Sequence, residues 1–351
     1  MNSHFKEITI TNFRGFDSLT IKQLQRINVF VGANNVGKTS ILEAAFMLSG
    51  MSNPFISNRI NYLRTALLNN SIDSSRYLFH NVDFSNKPLL KGFMADGKTR
   101  KITFAPVTSH NETDMSSSNS ANQSTIRQLN FEFSQEENGN ELVYHSKIVV
   151  TNDGNTRQET DNGYSEHLNA LFIPVDKNDA NATANFSTLV KHNRKHLVTN
   201  ALHDFAPSIE SIEALPDGLY LKIKDVKELL PISMGGDGVR RMINIISTIA
   251  CEDYDIVFID EIDNGMHYSA HKLMWRTILK FILTHDIQLF VTTHNLDCLM
   301  GLKNAMQEED SLRKLTHVYN VAKTKNKGFQ VYSYGYDELK EAIDNEIEIR
   351  R

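Results

Sequence analysis

The octapeptide Gly32-Ala33-Asn34-Asn35-Val36-Gly37-Lys38-Thr39 fits the spacing G-x-x-x-x-G-K-[ST] without a mismatch. Its residue types suit one chemistry. Glycines let the backbone wrap a phosphate, and successive N–H groups, with the N-terminus of a following helix, supply positive potential. Lys38 is placed to reach the β- and γ-phosphates and to act in catalysis, and Thr39 to offer its hydroxyl to Mg²⁺. Ser40 is counted with the loop as a nucleotide contact.

A second cluster lies far downstream. Asp255-Ile256-Val257-Phe258-Ile259-Asp260-Glu261 is an apolar strand ending in two carboxylates. At the carboxyl edge of a parallel sheet they would stand beside the phosphate loop, Asp260 as a Mg²⁺ ligand and Glu261 as the base for an attacking water. Upstream, Ser233-Met234-Gly235-Gly236-Asp237-Gly238 opens a helix and makes another ready anion site. Downstream, Phe290-Val291-Thr292-Thr293-His294 puts a histidine one strand over, where it can reach the γ-phosphate or orient the water. His267, after the acids, is a weaker case of the same kind.

The positioning elements follow from periodicity. Ile8, Ile10 and Phe13, then Leu19 and Ile21, then Ile27–Val31 read as strands leading into the phosphate loop, and Ile41–Leu48 as the helix after it, ending near Asn53-Pro54. Residues 85–165 read as a β-rich insertion with turns at Asp96-Gly97 and Asn138-Gly139, interrupted by a polar mobile loop over 109–124. Residues 180–250 read as a helical lobe carrying the glycine signature, with a strand pair around Pro216-Asp217-Gly218. Strand and helix then alternate to a final hairpin and charged helix. The fold class is α/β: a P-loop NTPase with a mixed, mostly parallel sheet, an antiparallel β subdomain and a helical lobe. Because the acids stand so far beyond Lys38, the whole span 1–351 reads as a single interrupted domain.

Composition bounds the rest. The 351 residues carry 37 Lys+Arg against 42 Asp+Glu, a net charge of -5, which argues against a wholly basic nucleic-acid coat. No apolar run approaches the ~20 residues of a membrane span, and the N-terminus lacks signal-peptide character, so a cytoplasmic protein is expected. Cys251 and Cys298 are too few for a disulfide framework and are expected to be buried, inert thiols. Trp275 is expected in the core. The basic run Lys191–His196 is placed on a helix, where a solvated face is the plain reading and DNA, RNA or an acidic partner the alternative.

The ordered set of phosphate loop, glycine signature, acidic pair, acidic turn Asp263-Asn264-Gly265 and histidine resembles the ABC-type ATPase superfamily. Ile10-Thr11-Asn12-Phe13-Arg14-Gly15-Phe16 and Asn34-Asn35 resemble its SMC/RecF/OLD-like branch, nearest to ATPases of bacterial anti-phage operons. The resemblance implies an ABC-type head that uses ATP and Mg²⁺. Lys38 and Thr39 take the phosphate and magnesium positions, and Asp260 and Glu261 the metal acid and the base. His294 is the switch histidine, and Arg14 approaches the nucleotide. Ser233 and Gly235, Gly236, Asp237 and Gly238 would meet the γ-phosphate of an opposite subunit, so ATP would join two chains into a homodimer. It further implies an ATPase that regulates a separate effector, a nuclease or toxin. A RecF/SMC-like DNA-repair ATPase is the alternative, and a transporter subunit a third reading.

Overall fold

The computed structural model describes residues 4–64, 72–109, 125–151, 153–175, 179–326 and 328–349. The chain opens with β1 (Phe5–Phe13), β2 (Phe16–Ile21), β3 (Ile27–Val31), α1 (Lys38–Ser49) and α2 (Phe55–Arg64). Then come β4 (Leu89–Met94), β5 (Thr99–Ser109), β6 (Thr125–Glu137), β7 (Asn140–Val150), β8 (Thr156–Thr160) and β9 (Ala170–Ile173). The middle holds α3 (Asp179–Lys191), α4 (Lys195–Phe205), β10 (Ile209–Leu215), β11 (Gly218–Ile223), β12 (Leu230–Pro231) and α5 (Asp237–Ala250). The remainder is β13 (Ile256–Ile259), α6 (His271–Thr284), β14 (Gln288–Thr292), α7 (Leu296–Glu308), α8 (Asp310–Leu315), β15 (Thr316–Thr324), β16 (Gly328–Tyr334) and α9 (Tyr336–Asp344).

These elements form two compact units, each discontinuous in sequence. One comprises 1–24, 35–169 and 321–331, the other 25–34, 170–320 and 332–351. The chain passes between them inside the phosphate loop, after Asn34.

In the first unit, β2-β1-β4-β5-β6-β7-β8 make one sheet whose neighbours are all antiparallel. The β-rich stretch read from sequence is therefore an extension of the N-terminal hairpin's sheet. Buried residues alternate along these strands as the period of two requires. In β1 the buried set runs Phe5, Ile8, Ile10, Phe13, and the three-residue step after Phe5 coincides with a register shift against β4 between Phe5 and Glu7. The polar stretch 110–124 lies outside the described residues.

In the second unit, the first part of β15 (316–320) and β3, β14, β13 and β9 run parallel in that order. β3, β13 and β14 are buried at every position, as central strands covered on both faces must be. One face carries a row of aromatic rings, Phe172, Phe258, Phe290, Phe30 and Tyr319, with neighbouring centroids 5.1–6.2 Å apart. An aliphatic core that includes Val29, Ile259 and Val291 joins the sheet to α3–α7. Arg26 donates to the carbonyls of Ile282, Leu283 and Ile287 and so closes the end of α6. Trp275 is buried, its Nε1–H on the Cys298 carbonyl at 2.9 Å.

Three sequence expectations change. Cys298 is buried as expected, but Cys251 is only half-buried. The basic run spans two helices: Lys191 ends α3 and Lys195 and His196 begin α4, with a break between them at Asn193, where φ is +59°. α1 stops at Gly50, before Asn53-Pro54, and Pro54 leads instead into the unanticipated α2. Among the described residues no helix is long and apolar enough to cross a membrane.

α6 and α7 pack so closely that a Cβ on Gly301 would stand 2.7 Å from His271 Cβ and 2.9 Å from its carbonyl carbon. Backbone cannot yield as a flexible side chain can. Gly301→Ala is expected to destabilise the protein by about 1–3 kcal/mol, read as a lower urea midpoint at unchanged slope.

Candidate functional site

β3 ends in the phosphate loop and α1 begins at its end. Gly32, Asn35 and Gly37 have φ of +149°, +70° and +95°. At Gly37 the conformation and the space both demand glycine, since a Cβ would meet Phe16 Cζ at 2.5 Å. Ala33, Asn34 and Asn35 are exposed, while Val36, Gly37, Lys38 and Thr39 are partly covered. No side chain caps α1 and no acid lies in its first turn, so its amide end keeps its positive potential.

α1 is anchored one turn further in. Glu43 is buried and its carboxylate meets two arginines. Arg64 Nε and Nη2 donate to Glu43 Oε1 and Oε2 at 2.7 and 2.9 Å, and Arg64 Nη2 also donates to Ser40 Oγ at 2.8 Å. Arg14 Nη2 donates to Glu43 Oε1 at 3.1 Å, and its Nε lies 2.8 Å from Oε2 as an ion pair without hydrogen-bond geometry. Burial pulls the Arg14 guanidinium down to about 10, against the opposing pull of Glu43. Arg14, expected at the nucleotide, thus turns its guanidinium to Glu43. Neither Glu43 nor Arg64 was picked out from the sequence.

The acids sit at the carboxyl ends of β13 and β14. Thr292 Oγ1–H donates to Asp260 Oδ1 at 2.6 Å, and the Glu261 N–H donates to the same hydroxyl at 2.8 Å. The Asp260 N–H donates to the Ile173 carbonyl, which fixes the step off the strand. Glu261 adopts φ +45°, a strained backbone for a non-glycine residue. His294 Nδ1 stands 3.7 Å from Glu261 Oε1, with both side chains about half exposed. Asp263 is held by Thr293 Oγ1–H at 2.8 Å. His267 accepts from the Ser269 N–H and caps the short turn Tyr268–Ala270, which is a structural role.

Ser233 lies in a single 3-10 turn (Ile232–Met234) and is exposed, as are Gly236 and Asp237. Gly235 packs on Leu221, and Gly238 faces Phe205. Gly236, at φ +82°, precedes α5, which has no side-chain cap. Asp237 pairs with Arg240 at 3.3 Å. The next residue, Arg241, is buried and donates to the carbonyls of Pro174 and Asp260, each at 3.3 Å. Burial lowers its pKa, while Asp260, Asp263 and Glu261 oppose that shift. Arg241 therefore joins the signature helix to the acidic edge. A buried-side arginine on an amphipathic helix was the only sequence signal for it.

Thr292→Val keeps the shape but leaves Asp260 Oδ1 without this donor and the Glu261 N–H without its acceptor. It is expected to destabilise the protein by about 1–3 kcal/mol, checked by denaturant unfolding.

Residues 27–299 match the family model described as "AAA domain, putative AbiEii toxin, Type IV TA system". Over 334 residues the chain is 25% identical to an ATP/GTP phosphatase of Helicobacter pylori, covering 87% of this chain and 89% of that one. A stretch of 46 residues, 13% of this chain and 12% of the relative, is 39% identical to the DNA replication and repair protein RecF of Lysinibacillus sphaericus. Among solved structures, an SMC head bound to the C-terminal winged-helix domain of ScpA aligns over 97% of this chain and 99% of that one, at 11% identity and a TM-score of 0.49. With most of its length matched by the family model, the chain belongs to this AAA-domain family.

Proposed function

We propose that the chain binds and hydrolyses ATP with Mg²⁺ in the cytoplasm, closes on a second copy of itself around the nucleotide, and thereby licenses a separate effector, a nuclease or toxin, in anti-phage defence. The carrying observation is the paired end of β13 and β14, where Asp260 is oriented by Thr292 and Glu261 faces His294.

The donor set suits magnesium. Asp260 and Thr39 offer hard oxygen ligands, and Mg²⁺ usually takes one or two such groups, several waters and substrate phosphates. Among the described residues no group of three or more His, Cys, Asp or Glu is arranged around a metal. When bound, the ion neutralises phosphate charge. Lys38 and the open amide end of α1 hold the phosphates, with Gly32–Gly37 wrapping them and Ser40 fixing the first turn through Arg64. Glu261 accepts the proton of the attacking water, and His294 orients that water.

Dimerisation is supported by the exposed signature. Ser233 and the uncapped end of α5 face solvent, beside Met234 at 70% exposure, and Tyr268 is 64% exposed. A second copy would cover such apolar groups and place its phosphate on those amides. The effector is supported by the toxin–antitoxin description of the family. The RecF match and the largely exposed basic run Lys191–His196 favour a second reading as a DNA-repair ATPase. DNA binding that weakens steeply with salt would select it.

Lys38→Ala is expected to weaken ATP binding on the order of 100-fold by calorimetry, and normal turnover in that variant would refute the phosphate-loop assignment. Glu261→Gln is expected to lower turnover by about 10²–10⁴-fold and to accumulate an ATP-bound dimer. Light scattering that finds the same monomer with and without ATP would remove the dimer from the proposal.

A further inference from the structure

The tip of the Phe16 ring fills the space beneath Gly37. A Cβ on Gly37 would stand 2.5, 3.0 and 3.2 Å from Phe16 Cζ, Cε2 and Cε1. That ring is fully buried, so it is a fixed surface under the phosphate loop and not a side chain free to swing away. Gly37 is also where the loop turns into α1. Its carbonyl accepts the Ile41 N–H at 3.1 Å, and its φ is +95°. A shift of the ring is therefore felt at the amides that open α1.

What supports Phe16 comes from the far end of the sequence. Residues 321–331 belong to the same unit as β1, β2 and the second half of the loop. There β15 and β16 lie side by side, and Thr324 Oγ1–H donates to the Gly328 carbonyl at 3.2 Å across the turn. Gly328, at φ +64°, comes close to β2: a Cβ there would stand 3.8 Å from Asp17 Oδ2. The next residue, Phe329, meets Phe16 edge-on, with ring centroids 4.7 Å apart and planes at 71°. Phe329 is half-buried, and Lys323 Nζ stands 4.9 Å from its ring centroid. The contacts run in order from Lys323 to Phe329, to Phe16, to Gly37.

We propose that Phe329 is a positioning residue for nucleotide binding: by buttressing Phe16 it holds Gly37 and the amides around it in the phosphate-binding conformation. The inference rests on the phosphate-loop reading of residues 32–39. A loop held in its binding shape before the ligand arrives loses less freedom on binding. Without the Phe329 ring, Phe16 loses its edge contact and gains room to move, and the ligand must then order the loop itself. Phe329 acts only through Phe16, so the loss falls on affinity and not on the chemical step.

The test is calorimetric binding of ATP and of ADP to the full chain, with ATP turnover measured at saturation. Phe329→Ala is expected to weaken both nucleotides by the same factor, about tenfold, at unchanged kcat. Phe329→Tyr keeps the ring and is expected to bind as the unaltered protein does. Lys323→Ala removes only the cation over the ring and is expected to weaken binding less than Phe329→Ala. Gly301→Ala loosens α6 and α7 instead, so it controls for lost stability and is expected to leave both affinities alone. Unchanged affinity in Phe329→Ala, a loss for ATP but not for ADP, an equal loss in Gly301→Ala, or a larger loss in Lys323→Ala would each overturn the proposal. Should Phe329→Ala fail to fold, Phe329→Leu keeps apolar bulk without the ring; an intermediate loss is expected there, and full affinity overturns the proposal. Lys38→Ala separates the two readings. Normal binding in that variant removes the phosphate loop itself, whereas lost binding there beside normal affinity in Phe329→Ala removes the positioning role alone.

Discussion

The acidic edge depends on one hydroxyl. Thr292 ends β14, and its Oγ1–H points at Asp260 while the same oxygen accepts the Glu261 N–H. A hydroxyl has one proton and two lone pairs, so this arrangement uses it as donor and acceptor together. The consequence is geometric. Asp260 is held by a bond to one of its carboxylate oxygens, and Glu261 is held at a positive φ that its side chain would not choose. Parallel pairing of β13 with β14, Ile259 against Val291, is what brings the threonine level with the acids. The aromatic row and aliphatic core that fix that register therefore also fix the chemistry.

Charge balance follows the same logic in both units. In the second, three carboxylates gather at one sheet edge, and the buried Arg241 offsets their repulsion from beneath while bonding backbone carbonyls. In the first, Glu43 sits between Arg14 and Arg64. A buried pair broken on one side leaves an uncompensated charge, which is far more damaging than the pair is stabilising. Placing Glu43 in the second turn of α1 also has a local effect. It ties the helix down without putting an acid at its N-terminus, where a carboxylate would compete with phosphate for the same amides.

What the sequence revealed was what local pattern controls. β3, β13 and β14 were legible because doubly covered strands are short apolar runs, and the residues that end them carry the chemistry. The hairpin turns at Asp96-Gly97 and Asn138-Gly139 were legible because backbone geometry selects those residue types. Glu43, Arg64 and Arg241 were not, because their partners are set by tertiary packing: Arg64 meets Glu43 from a helix that the pattern did not show. The break at Asn193 was missed for a related reason. The apolar spacing of α3 and α4 continues across it, and the break is made by backbone alone, left-handed at Asn193 and non-helical at Arg194.

The linkage through Arg241 bears on how a signal at the signature could reach the acids. α5 begins at the exposed Gly236 and presents Arg241 one turn later to the carbonyl of Asp260. A ligand or second chain at the amide end of α5 can alter the acidic edge only if it favours one position of that helix over another. The close packing of Gly235 on Leu221 restricts sliding of the helix start. α5 also buries Met242, Ile243, Ile245, Ile246 and Ile249 in the aliphatic core, so rotation of the helix is resisted as well. Arg241 therefore holds the Asp260 carbonyl from a helix as firmly placed as the strand whose Thr292 holds the Asp260 carboxylate.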